Sequence, residues 1–140
     1  MEEPELDYIF VYGTLRKDLF PNRNELLADR CVFFCKGTFQ GLLFEIDGYP
    51  GAIESTNRSD QVVGEIYQTR TINRVLKKLD DYEQCSVTHP QPHEYCRKHL
   101  PIKTQSQQVL KAWIYVYNRP VIKRTKIESG DYQDFIAVHD

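Results

Sequence analysis

Residues 8–13, Tyr-Ile-Phe-Val-Tyr-Gly, are apolar at nearly every position. A strand with one wet face alternates apolar and polar residues, so a run that does not alternate must be covered on both faces. Residues 108–118, "QVLKAWIYVYN", carry a related pattern. There Val109, Trp113, Tyr115 and Tyr117 fall on one face, and Leu110, Ala112, Ile114 and Val116 on the other. Successive side chains of a strand point to opposite sides, so whatever fold forms must lay protein against both sides of its sheet.

The remaining strand signals are shorter or interrupted. "CVFFCKGTFQGLLFEI" (31–46) is broken by Gly37 and Gly41 and reads as one bent strand or as a strand pair. "QVVGEIY" (61–67) is bounded by polar residues, and "GYPGA" (48–52) offers the Pro-Gly pair of a type II turn. Glycines inside strand patterns mark bends or close backbone approach, as a small closed sheet requires. Two segments read as helices. One is "NRNELLADR" (22–30), with Asn22 or Asn24 available as a cap; the other runs from Thr71, a possible N-cap, to Glu83. The expectation is an α+β fold in a single domain over residues 1–140: a small, mostly antiparallel β-barrel with one or two flanking helices.

Composition excludes several functions. A formal net charge of −2 gives no electrostatic footprint for nucleic acid or anionic membrane. No apolar run approaches the length that spans a bilayer. The acidic start, "MEEPELDYIF", lacks the basic and apolar segments of a signal peptide. A cytoplasmic protein with its four cysteines reduced is expected.

The helix over 71–83 contains an asymmetry among its acids. Ile72, Val75, Leu76 and Leu79 form an i, i+3, i+4, i+7 stripe. Advancing each residue by about 100° sets Glu83 near the middle of that stripe, Asp80 at its border and Asp81 on the far side. A carboxylate turned inward has its pKa raised by desolvation, which suits a general acid/base. The competing reading is a helix that frays before residue 83 and leaves Glu83 solvated. "VYGTLRKD" (11–18) ends the first strand with a glycine, after which backbone amides can face an anion and Arg16 can add a charged contact; an ordinary tight turn with a solvated arginine is the alternative.

"VYGTLR", "YPG" near residue 50, "GEIY" at 64–67, "LDDYE" at 79–83 and "IESGDYQDF" at 127–135 occur in an order that resembles the gamma-glutamylcyclotransferase-like family, over almost the whole chain. The resemblance implies a small β-barrel with flanking helices and a cavity at one end. It implies that Tyr12, Gly13, Thr14 and Leu15 bind the α-carboxylate end of a γ-glutamyl substrate, largely through backbone amides, and that Glu83 is the catalytic carboxylate. Tyr95 and Tyr115 are the candidate assisting tyrosines, and Arg16 a further candidate for the substrate carboxylate. The implied reaction is cyclisation of a γ-glutamyl amine or peptide to 5-oxoproline, with no metal or cofactor; a non-catalytic small-molecule binding or regulatory module on the same fold is the alternative.

The pattern departs from the family at Gln84 and Cys85, where a glycine commonly follows the glutamate. Cys85, His89, His93 and Cys96 are residue types suited to zinc, but their spacing matches no common site, and no metal is expected. Cys31 and Cys35, four apart in a strand pattern, are expected to share a core face. Leaving group and oligomeric state are not specified by the sequence.

Overall fold

The computed structural model describes residues 6–13, 15–19, 27, 30–82 and 94–139. Its strands are β1 (Asp7–Val11), β2 (Val32–Ile46), β3 (Tyr49–Glu54), β4 (Gln61–Thr69), β5 (Tyr95–Thr104), β6 (Val109–Tyr117) and β7 (Thr125–Lys126). The helices are α1 (Ile72–Tyr82) and α2 (Tyr132–His139). The neighbour order β2-β4-β1-β6-β5 returns to β2 through Gly37↔Thr104 and Thr38↔Lys103, closing a five-stranded barrel. All its pairings are antiparallel except β1 with β6, which meet in parallel at Ile9↔Trp113. The expected α+β barrel is thus the fold.

Closure explains the doubly apolar strands. Phe10, Phe39, Val62, Ile66, Ile102, Ala112, Ile114 and Val116 come from all five barrel strands and form one buried cluster, the barrel interior. Ile9, Val11, Tyr67, Tyr115 and Tyr117 point the other way and meet Val75 and Leu79 of α1 in a second cluster. The two faces read in residues 108–118 therefore serve two cores. Gly37 sits where β2 turns from β4 to β5, and a Cβ there would lie 2.6 Å from Ile66 Cδ1 and 2.8 Å from the Lys103 carbonyl. Only a residue without a side chain lets the strands approach this closely.

β2 is one bent strand of fifteen residues. Its register slips between Phe33 and Cys35, where Phe33 pairs with Tyr67 and Cys35 with Ile66. This bulge corrects the expectation that Cys31 and Cys35 share a face: Cys31 packs in the helix-facing core and Cys35 against the barrel interior. The turn expected at Pro50–Gly51 also moves. Those residues lie inside β3, and the β2–β3 hairpin turns at Asp47 and Gly48, with φ of 51° and 98°, the double positive φ of a two-residue hairpin loop. β3 is an edge strand, where a proline is tolerated.

α1 carries Thr71 at its N-cap position, the Thr71 carbonyl accepting from the amides of Arg74 and Val75. Val75, Leu76 and Leu79 are buried, while Arg74, Lys77, Lys78 and Asp81 are exposed. The helix expected over 22–30 lies outside the described residues apart from Leu27, which is buried in the helix-facing core, and Arg30. β5, β7 and α2 were not anticipated as elements. No helix among the described residues is long and apolar enough to cross a membrane.

Candidate functional site

The loop after β1 is held from several sides. The Tyr12 ring enters the barrel-interior cluster, and its hydroxyl donates to the Tyr115 carbonyl at 2.6 Å while accepting from the Ala52 amide at 3.2 Å. Gly13 lies against Pro50; a Cβ at this position would collide with Cγ of that ring. The Arg16 amide donates to the Gly13 carbonyl at 3.0 Å, closing a turn that spans residues 13–16. Leu15 is buried in the helix-facing core. Thr14 lies outside the described residues.

Arg16 is 1% exposed. Its Nε and Nη2 donate to the two carboxylate oxygens of Asp18 at 3.0 and 2.7 Å, and its Nη1 donates to Asp131 Oδ1 at 2.8 Å. Burial disfavours the guanidinium charge, but the hydrogen bonds and attraction of Asp18 and Asp131 outweigh it, so its pKa lies above the ordinary value. Asp18 is likewise partly desolvated, which pushes its pKa up. Arg16, with Lys36 3.5 Å away, more than reverses this and holds the Asp18 pKa below the usual carboxylate value. The arginine that the sequence offered to a ligand carboxylate thus holds two carboxylates of the protein itself.

Glu65 is a third support that sequence reading passed over. It is 3% exposed, and its Oε1 accepts from the Lys17 amide at 2.6 Å and the Tyr67 hydroxyl at 3.0 Å. The signal was available: an acid on the same strand face as Tyr67, inside "GEIY", needs partners if that face is buried.

The tyrosines come from β5 and β6. Tyr95 is buried, donates to the Pro50 carbonyl at 2.7 Å and packs edge-on to Tyr117 with ring centroids 5.7 Å apart. It therefore shares Pro50 with Gly13. Nearby, burial first and then a 2.7 Å hydrogen bond to Glu94 push the Tyr49 hydroxyl up to about 12. The Tyr115 hydroxyl donates to Asp80 Oδ1 at 2.6 Å, and Arg97 Nη1 donates to Asp80 Oδ2 at 2.7 Å. Asp80, placed by the helical period at the border of the apolar stripe, is a polar link between α1 and the barrel. Trp113 is flanked by His99, stacked at 4.5 Å, and by Arg97, 5.3 Å from the ring centroid.

Glu83 follows Tyr82, the last residue of α1, and lies outside the described residues, as do Cys85, His89 and His93. Among the described residues no group of three or more His, Cys, Asp or Glu side chains could hold a metal ion. A cavity of about 490 Å³ is bounded by Glu45, Thr125, Lys126, Ile127 and the α2 residues Asp134 and Phe135, and it includes none of the expected site residues.

Two hydrogen bonds at Tyr115, one accepted by its carbonyl from Tyr12 and one donated by its hydroxyl to Asp80, thus join the loop after β1 to the last turn of α1 on a closed five-stranded barrel. This defines a small-barrel protein with its candidate site where loop, β6 and α1 meet. The family model described as gamma-glutamyl cyclotransferase, AIG2-like, matches residues 9–134. A candidate gamma-glutamylcyclotransferase of Methanocaldococcus jannaschii, MJ1514, is 32% identical over 131 residues, 93% of this chain and 98% of that one. The gamma-glutamylcyclotransferase family protein YtfP of Escherichia coli K12 is 34% identical over 130 residues, 90% of this chain and 96% of its own. Among solved structures, YkqA from Bacillus subtilis superposes with a TM-score of 0.67 at 27% identity; the match covers 97% of this chain and 44% of the longer YkqA. A mouse AIG2-like protein gives 0.65 at 23% identity over 85% of this chain and 82% of its own, a likeness of fold. The chain belongs to the gamma-glutamyl cyclotransferase, AIG2-like family.

Proposed function

We propose that the protein is a cyclotransferase that converts a γ-glutamyl amine or peptide into 5-oxoproline, with Glu83 as the general acid/base. The substrate's α-carboxylate meets the loop of Tyr12, Gly13, Thr14 and Leu15, and Arg16 sets the shape of that loop. Glu83 takes a proton from the α-ammonium. The freed amine attacks the γ-carbonyl carbon and closes a five-membered ring, giving a tetrahedral oxyanion. When that collapses, the bond to the leaving nitrogen breaks, Glu83 returns its proton to that nitrogen, and the extra proton of the ring nitrogen passes to the departing amine, which leaves as an ammonium. Both reacting groups belong to one molecule, so folding it into the attack geometry supplies much of the acceleration. Tyr95 and Tyr115 line the substrate in this reading.

The observation that carries the reading is the pair of hydrogen bonds at Tyr115, from Tyr12 and to Asp80, which ties the loop that would hold the substrate to the helix leading into Glu83. Family membership supports the reaction class. The test is a panel of γ-glutamyl amino acids and γ-glutamylamines assayed for 5-oxoproline. Wild type should release it from at least one of them, and Glu83→Gln should lower the rate by about a hundredfold or more, the scale of a general acid/base contribution. A wild type inactive on the whole panel, or a Glu83→Gln variant as active as wild type, would end the proposal.

A further inference from the structure

Asp80 is too well held for a surface aspartate. Its side chain is 20% exposed, and its two oxygens are claimed by two different donors, the Tyr115 hydroxyl and Arg97. Tyr115 is 6% exposed, with its ring in the core beneath α1, so the phenol cannot easily turn away. A phenol has one hydrogen to donate and two lone pairs with which to accept. At 2.6 Å that hydrogen points to Asp80 Oδ1, and any other group hydrogen-bonding the phenol oxygen has to be a donor.

We propose, resting on the cyclotransferase reading, that Asp80 is a positioning residue that fixes the polarity of Tyr115, so that the phenol oxygen accepts from the α-ammonium of the γ-glutamyl group. The consequence is specific. Tyr115 is excluded from the donors that hold the oxyanion, and its contact is with the nucleophilic nitrogen. Once Glu83 removes a proton, an N–H still directed at Tyr115 leaves the nitrogen lone pair with a restricted range of directions. That restriction is what ring closure needs. Arg97 completes the device. Because a guanidinium only donates, it holds the second Asp80 oxygen and prevents the carboxylate from rotating away.

The test compares L-glutamine, the simplest γ-glutamyl amide, with glutaramate, which differs only in lacking the α-ammonium. Binding is measured by calorimetry in the Glu83→Gln background, which blocks turnover and removes the other anion expected to attract the ammonium. L-glutamine should bind about tenfold or more tighter than glutaramate, the scale of a charge-assisted hydrogen bond. Tyr115→Phe removes the acceptor and should bring the ratio to within about twofold.

Asp80→Asn preserves shape and tests polarity. Arg97 can face only the amide oxygen, which turns the amide NH2 toward Tyr115 and sends the phenol hydrogen toward the ligand. The preference should again vanish, and in the Tyr115→Phe background Asp80→Asn should change it by less than about twofold, because the two act as a unit. A general loss of structure would weaken both ligands together and leave their ratio intact. A preference that survives Asp80→Asn, or no preference before substitution, overturns the proposal. If the ratios behave as expected while wild type makes no 5-oxoproline from any substrate, the polarity assignment stands and the cyclotransferase reading falls.

Discussion

Arg16 carries its charge at 1% exposure, which a protein interior tolerates only with charge-assisted partners in place. Its fork is filled by Asp18 on one side and Asp131 on the other. Because the folded state depresses the Asp18 pKa, the pair's contribution is fully present above the ordinary aspartate pKa of about 4. It is lost as pH falls through the lower folded value. Asp18→Asn should therefore destabilise the protein by about 1.5–3 kcal/mol at pH 6, the range for hydrogen bonds to charged groups. The gap from wild type, read from urea unfolding, should narrow below pH ~4. A gap unchanged down to pH ~2 would mean that Asp18 is not the titrating partner. At this scale the sequence singled out Arg16 but not what it holds: Asp18 lies only two residues on, and Asp131 arrives from 115 residues away.

β2 is the element that sequence reading described best and in which it made its clearest error. The glycine-interrupted run read as one bent strand or a strand pair, but a bulge leaves no mark in a period-two pattern when residues on both sides of it are apolar, as in Cys31–Val32–Phe33–Phe34–Cys35. The extra residue moves Cys35 to the barrel side. Cys31 stays in the helix-facing core, where burial, only partly offset by a hydrogen bond with Thr69, pushes its thiol up to about 11. Since the thiolate is the reactive form, Cys31 should alkylate about tenfold or more slowly than Cys96 at pH 7.5, as followed by peptide mass spectrometry. Equal rates would contradict the burial. β5 was missed for a different reason. Tyr95–Thr104 holds Arg97, Lys98, His99, Pro101 and Lys103, and five of its residues are exposed, so local polarity concealed a strand that the barrel needs for closure.

At the scale of the whole molecule, the C-terminal segment reaches back to the loop after β1. Asp131 caps α2 by accepting from the Gln133 amide at 2.9 Å and, with the same oxygen, holds Arg16. The Gly130 carbonyl accepts from the Val63 amide of β4 at 2.8 Å, and the Tyr132 hydroxyl donates to the Gly48 carbonyl at 2.9 Å. Asp131→Ala removes both a helix cap and one partner of a buried cation, so it should cost about 2–4 kcal/mol in urea unfolding. If the loop after β1 holds substrate, the same change should raise KM more than it lowers kcat in the 5-oxoproline assay. An unchanged KM in a folded variant would separate the C-terminal segment from the site.

Local pattern alone determined that both faces of the sheet are covered, that residues 72–79 form an amphipathic helix, and that glycines sit where strands crowd. These follow from side-chain alternation and helical period, which act over a few residues. Tertiary structure decided what each face meets: Asp80 with Tyr115 and Arg97, Glu65 with Lys17 and Tyr67, Arg16 with Asp18 and Asp131. The partner that neutralises a buried polar group can lie anywhere along the chain. Arg16 and Asp131 are 115 residues apart, and they meet where the C-terminal segment lies against β4 through the Val63–Gly130 hydrogen bond.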